Sequence, residues 1–344
     1  MVEVFTTTAN GPVELPVVPN ERTVVDGVPV TYFKRLTKDH SHLSPALMRM
    51  MWKDVQKFDL VHVHAWWNLV SVFSCWIALM RGVPVVLSPR GTLSAYSFTN
   101  KNNTIKKLIH NLLGKHLLKR ANIHVTSQRE KAGMEAIINP KKIVVISNFI
   151  ALPDHISDII IKREEHLKLI FFSRIEEKKG LDILLNTLKA VTVPYHLTIA
   201  GDGESEYIEY LKAIAEQNGS SSFISWIGFQ GANKFNLLQQ HNLMILPSYD
   251  ENFGNVVIES LSVGTAVLIS KNVGLADYVA ENNWGWICEL NEADISKNIN
   301  LIQHENDKLL TIRQQAPAGI RNDFKDENLA QKYLDMYHQI INNG

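Results

Sequence analysis

A chain of 344 residues is long enough for two domains, each with its own core, and 45% hydrophobic with 20% charged residues describes a globular, soluble protein. The net charge is zero, yet residues 1–153 carry 19 Lys and Arg against 9 Asp and Glu while residues 154–344 carry 16 against 26, so the halves present different surfaces and the first faces something anionic. Two cysteines, Cys75 and Cys288, show no metal or redox spacing, which excludes those classes of site and fits a reducing cytoplasm; no signal peptide opens the chain.

Residues 2–7 read as a strand at once. Residues 10–30, rich in Pro, Gly and Asn, read as loop, and residues 29–33 as the next strand. A helix is expected over 45–57 and a strand over 60–64, whose alternation puts His62 and His64 on one face. With no third ligand at metal spacing, these histidines read as polar residues at a strand end. The apolar stretch 69–80 is too short to span a bilayer and ends at Arg81, so it reads as a buried helix. A strand over 83–88 runs into Pro89, Arg90 and Gly91. Arg90 stays protonated, so it cannot serve as a neutral acid or base; it can cap the strand or balance phosphate or acceptor charge.

Residues 101–120 hold Lys101, Lys106, Lys107, Lys115, Lys119 and Arg120 with no acidic residue, and Ile105, Leu108, Ile109, Leu112 and Leu113 fall on one helical stripe. A basic amphipathic helix of this kind either lies on an anionic membrane surface or packs on the core with a solvated back. Nucleic acid is not indicated, because no binding motif or aromatic interleaving accompanies the charge. Strands over 123–126 and 143–146 close the first half, and the boundary falls within 148–153.

The second half opens with a continuous apolar strand over 167–173, typical of a parallel sheet. It delivers Arg174, then Lys178, Lys179 and Gly180, then a helix from Leu181. Cations at the carboxyl end of such a strand sit where doubly wound sheets bind ligands, Arg as a rigid fork and Lys as a point charge. The same residues also suit a charged turn. Strands over 195–200 and 223–226 follow, the first closing in a tight Gly201-Asp202-Gly203 turn. A short buried strand over 243–246 leads through Pro247 and Ser248 into Glu251-Asn252-Phe253-Gly254-Asn255-Val256-Val257-Ile258-Glu259. Gly254 lets the backbone turn, a helix starts at Asn255, and Gly264 stops it. One carboxylate therefore stands in the loop and another on the helix. A helix start offers unpaired N–H groups and a positive dipole end, and a carboxylate can grip a vicinal diol. By spacing alone this is either a sugar-nucleotide site or an ordinary αβ unit with two solvated glutamates. Strands over 267–269 and 285–288 and helices over 293–343 complete the chain.

The run from Glu251 to Glu259 resembles the E-x7-E motif of the family-4 retaining glycosyltransferases, and Arg174, Lys179 and Gly180 resemble that family's Arg-x4-Lys-Gly pattern. The resemblance implies an α/β chain of GT-B fold, two doubly wound Rossmann-like domains facing a cleft. Residues 1–150 would form the acceptor domain, 151–328 the nucleotide-sugar domain, and 329–344 a helix crossing back to the first. It implies that Glu251 binds the hydroxyls of the donor sugar, that Glu259 holds the ribose, and that the backbone through Phe253, Gly254, Asn255 and Val256 contacts the sugar. Arg174 and Lys179 would hold the donor diphosphate and stabilise it as it leaves. His64 ends a strand that lies near the crevice in the family, and Arg90 stands where many relatives carry His.

No Asp-x-Asp triplet occurs, so the family's metal-free mode is expected, with no cofactor and the nucleotide sugar as substrate. P-loop, zinc-protease helix, nucleophile elbow, dinucleotide fingerprint and internal repeats are absent as well. The expected activity is retaining transfer of a sugar from a nucleotide-sugar donor to a glycan or lipid-linked acceptor, in assembly of a cell-surface polysaccharide such as lipopolysaccharide or capsule. The expected location is the cytoplasm, with residues 101–120 the place for contact with the inner membrane face. In the family a first strand and a Gly-rich loop precede the strand at 2–7. Their absence opens an alternative, a truncated protein that binds a nucleotide sugar without transferring it.

Overall fold

The computed structural model describes residues 1–11, 13–37, 39, 41–93, 113–153 and 166–342. They form two compact units, Met1–Ile146 with Ala330–Gly344, and Ser147–Leu329.

The first unit begins with β1 (Val4–Thr7), the short pair β2 (Ala9–Asn10) and β3 (Val13–Glu14), then β4 (Arg22–Val25) and β5 (Val28–Phe33). β1 runs parallel to β5, and β4 runs antiparallel to it. The loop expected over 10–30 is therefore partly strand. Asp26 and Gly27 both take left-handed φ, 50° and 79°, and make the two-residue turn that pairs Val25 with Val28. Val24 and Val25 are exposed, so no buried face marks this strand in the sequence. Buried Arg35 ties the preceding loop down through Glu14 Oε1 at 2.6 Å and the Gly11 carbonyl at 2.9 Å.

Next come α1 (Pro45–Asp54), β6 (Val61–His64), α2 (Leu69–Met80), β7 (Val85–Ser88), α3 (Lys115–Arg120), β8 (Asn122–Val125), α4 (Gln128–Ile137) and β9 (Lys142–Val145). Pro45 sits in the first turn of α1, where its missing N–H costs nothing. β6, β7, β8 and β9 form a parallel sheet in that order. The strands of this unit thus fall into two larger sheets, with β1 and β6 each at an edge. Trp66, Leu87, Leu118, Ile123 and Met134 fill its core. Of the basic stretch, residues 101–112 lie outside the described residues. In α3, Leu117 and Leu118 are buried while Lys115, Lys119 and Arg120 face outward.

The second unit carries β10 (Leu167–Phe172), α5 (Leu181–Thr187), β11 (Tyr195–Ala200), α6 (Ser205–Gln217), β12 (Ile224–Gly228), α7 (Lys234–Gln239), β13 (Leu243–Leu246), α8 (Asn255–Ser262), β14 (Ala266–Ser270), α9 (Ala276–Glu281), β15 (Gly285–Cys288), α10 (Glu292–Ile302) and α11 (Asn306–Asp323). Its six strands are all parallel, in the order β12-β11-β10-β13-β14-β15. This is the doubly wound order, and the strand direction of travel reverses between β10 and β13, where such sheets open a crevice at their carboxyl ends. β13 is buried along its whole length because helices cover both faces, which is why it reads as an unbroken apolar run. The last helix, α12 (Asp326–Asn342), starts in the second unit, and its residues from Ala330 onward belong to the first.

One glycine sets the approach of β10's loop to β13. Gly180 has φ 71°, and a Cβ there would collide with the Pro247 carbonyl. Gly180→Ala is expected to cost roughly 1–3 kcal/mol through backbone strain and overlap. Urea unfolding followed by intrinsic fluorescence checks this, and an unchanged midpoint would refute the contact.

Candidate active site

The crevice at the β10/β13 reversal receives side chains from two loops and one helix. After β10, Ile175 forms a parallel bridge with Gly203, and the chain then tightens into a 3₁₀ turn over Glu177–Lys179. Gly201 and Gly203 stand where the carbonyls of Ser173 and Ile175 leave no room for a Cβ, which holds the β10 and β11 loops together. The turn buries Lys179, and its Nζ contacts Glu251 Oε2 directly.

Glu251 is pinned by its backbone. Its N–H donates to the Asn272 carbonyl at 3.1 Å, and its carbonyl accepts from Gly274 N–H at 2.8 Å. The backbone of Glu251 is thus fixed to the loop after β14, and its carboxylate to Lys179. Three residues on, Gly254 at φ 94° starts α8, and no side-chain oxygen caps that helix. The arrangement aims the first N–H groups of α8 at the crevice edge, where they suit an anion or a sugar hydroxyl. Glu259 stands in the second turn of α8, with its Oε1 2.6 Å from Lys234 Nζ. Asn255 is exposed and accepts from Asn148 Nδ2 at 3.0 Å, and Val256 is half-buried. Phe253 turns its ring inward, edge-on to Phe324 at 6.3 Å, so only its backbone is available to a ligand.

Arg174 is not brought onto this pair. Its side chain is 73% exposed and meets Glu176 at 3.0 Å, with Lys178 3.8 Å from the same carboxylate oxygen. His64 and Arg90 belong to the first unit, so the structure sorts the candidates into two groups.

In the first unit the strand ends of β6, β7 and β8 carry a chain of hydrogen bonds. The Ile146 carbonyl can only accept, so His124 donates to it from Nε2 at 2.9 Å and accepts at Nδ1. The Ser88 hydroxyl therefore donates to His124 Nδ1 at 2.6 Å and accepts from His62 Nε2 at 2.6 Å. That leaves His62 Nδ1 to accept from the Tyr337 hydroxyl at 2.7 Å. His64 stacks on His62 at 4.3 Å, as their shared strand face requires. Arg90 holds φ 55° and Ala65 φ 64°, two non-glycine residues in left-handed backbone at neighbouring strand ends. Burial pushes the His124 imidazole down to about 4, with the charge of Arg90 adding to it and the Ile146 carbonyl opposing. Burial first, then His64, His124 and Arg90, pushes His62 down to about 2. Both rings are therefore neutral at neutral pH.

Sequence reading missed Lys234 and the Ser88–His124 link. Nothing in the spacing between Lys234 and Glu259 is periodic, and only folding of α7 beside α8 joins them.

Two family models match the chain, glycosyl transferases group 1 over residues 154–318 and Glycosyltransferase Family 4 over residues 2–152. The chain belongs to this glycosyltransferase family. The glycosyltransferase is 22% identical over 325 residues to an uncharacterized 41.2 kDa protein in the cps region of Klebsiella pneumoniae, covering 89% of this chain and 86% of that one. Over 109 residues it is 31% identical to the N,N'-diacetylbacillosaminyl-diphospho-undecaprenol alpha-1,3-N-acetylgalactosaminyltransferase of Campylobacter jejuni, covering 31% of this chain and 28% of that one. Its backbone is similar to that of HepE from Anabaena, solved in complex with UDP and glucose, with a TM-score of 0.71, 20% identity and coverage of 91% and 87%. That likeness carries the GT-B fold.

The neutral histidines of the glycosyltransferase make its stability depend on pH. The folded pKa of His124 lies below its ordinary 6.5, so the unfolded chain takes up a proton first as pH falls. Stability is full above that ordinary value and is lost from there down toward the folded pKa. At pH 5 the loss from a group of this kind is about 2 kcal/mol. The thermal midpoint is expected to fall between pH 7 and pH 5, and less steeply in His124→Asn. Equal slopes would clear His124.

Proposed function

We propose that this glycosyltransferase is a retaining, metal-independent enzyme that moves a sugar from a nucleotide-sugar donor to a glycan or lipid-linked acceptor during cell-surface polysaccharide assembly. The observation that carries the reading is the direct contact of Lys179 with Glu251 at the strand reversal of the second unit. Each neutralises the other. With donor bound, the Lys179 ammonium turns to the diphosphate and frees the Glu251 carboxylate for the sugar hydroxyls. Arg174, exposed at the end of the same strand, swings from Glu176 to the diphosphate. As the bond from anomeric carbon to phosphate lengthens, negative charge builds on the leaving oxygen. Two cations drawn there by the bound donor stabilise that charge more than they stabilise the ground state. Glu259 holds the ribose, and the backbone of Gly254, Asn255 and Val256 lies along the sugar. No side chain is assigned as nucleophile.

The UDP and glucose bound to HepE support a nucleotide-sugar donor. The cps-region relative supports polysaccharide assembly, and the name of the Campylobacter relative supports a lipid-linked acceptor. His64 and Arg90 are assigned to the acceptor side, where Arg90 balances phosphate charge. Among the described residues no helix is long and apolar enough to cross a membrane. The exposed cations of α3 suit peripheral contact of residues 101–120 with the anionic inner face of the membrane, on the cytoplasmic side.

Glu251→Ala is expected to lower kcat by about 10²-fold or more, in the range seen when one stabilising group is removed, while the protein still melts cooperatively at a midpoint lowered by the loss of the Lys179 counter-ion. Wild-type turnover in this variant would sink the assignment. Lys179→Ala should weaken binding of UDP about tenfold or more, the worth of one charge-assisted contact. Equal affinity by calorimetry would remove Lys179 from the phosphate site.

A further inference from the structure

The two carboxylates of the E-x7-E run have separate partners. Glu251 meets Lys179, which follows β10, whereas Glu259 meets Lys234, the first residue of α7. The second pair is largely withdrawn from water, with side-chain exposures of 24% for Lys234 and 14% for Glu259. The Lys234 ammonium also lies 4.7 Å from the centre of the Phe235 ring, which limits where it can swing.

We infer that Lys234 is a positioning residue for nucleoside recognition, acting through Glu259. The inference rests on the donor site proposed above. A glutamate has three rotatable bonds, and a diol is gripped only when the carboxylate plane faces both hydroxyls. The contact at Oε1 fixes that plane before ligand arrives and leaves Oε2 and the second lone pair of Oε1 for the two ribose hydroxyls. The ordering of the side chain is thereby completed on folding rather than on binding. The second unit then reads its ligand in two places, diphosphate at Lys179 and ribose at the Lys234–Glu259 pair. Without Lys234 the carboxylate is a partly buried charge with no counter-ion, and it reorients toward water. Pyrophosphate has no ribose, so its affinity does not depend on Lys234.

The test measures binding of UDP and of pyrophosphate by calorimetry to the whole chain, in wild type, Lys234→Met, Lys234→Arg, Glu259→Gln and the Lys234→Met/Glu259→Gln double variant. Lys234→Met is expected to weaken UDP about tenfold and leave pyrophosphate within twofold, with Lys234→Arg recovering most of the loss. The double variant should bind UDP no more weakly than Glu259→Gln alone, since both remove one device. Equal weakening of UDP and pyrophosphate, or unchanged UDP binding, would overturn the inference and reduce the pair to a structural ion pair. Additive losses in the double variant would overturn it too, by showing that Lys234 acts independently of Glu259. Wild-type protein that binds neither UDP, GDP nor ADP would overturn the donor site itself, an outcome distinct from a lost UDP-to-pyrophosphate ratio.

Discussion

Gly180 lies so near the Pro247 carbonyl that no Cβ fits between them, and the candidate site hangs on that approach. β10 and β13 are neighbours in the sheet but are far apart in sequence, with two strands and their helices between them. Their loops can meet only where one chain lacks a Cβ. Gly180 supplies that gap and, through its left-handed conformation, also turns the chain from the 3₁₀ turn into α5. Lys179, one residue earlier, is then carried down onto Glu251. A larger residue at 180 would push the loops apart and separate the charges with them.

Electrostatics follows from that geometry. Two carboxylates lie close to one helix start, and each is matched by its own lysine. Partly buried like charges without counter-ions are costly, so the protein balances them internally. Such pairs contribute little net stability, because the desolvation of both ions offsets their attraction. Their value is orientation. Each lysine holds a carboxylate in a conformation that a ligand would otherwise have to impose.

The first unit uses a different device. His62, Ser88 and His124 are neutral groups whose donors and acceptors alternate in one direction, from the Tyr337 hydroxyl to the Ile146 carbonyl. Because one end is a carbonyl, each link fixes the tautomer of the next. The chain of bonds ties the part of α12 that belongs to this unit to the ends of three parallel strands. It also anchors Ile146, the last residue of the unit before the chain leaves it. Left-handed Ala65 and Arg90 stand at the same strand ends, strain that the surrounding packing sustains.

Much of this architecture was legible in the residues. The continuous apolar runs of β10 and β13 marked a parallel sheet, because strands covered on both faces cannot alternate. The run from Glu251 to Glu259 marked strand, turn and helix, because Gly254 and Gly264 bracket the apolar residues of α8. β5 was legible over 29–33, but β4 was not, since Val24 and Val25 are exposed and its turn into β5 depends on local left-handed backbone at Asp26 and Gly27. By itself the sequence determined which elements form and which charged residues end them, since these follow from periodicity and from glycine. Only the tertiary structure decided that Lys179 meets Glu251, that Lys234 meets Glu259, that Arg174 turns to Glu176, and that Phe253 faces the core. The two lysine–glutamate pairings depend on which strands lie side by side, a long-range choice that no local pattern records.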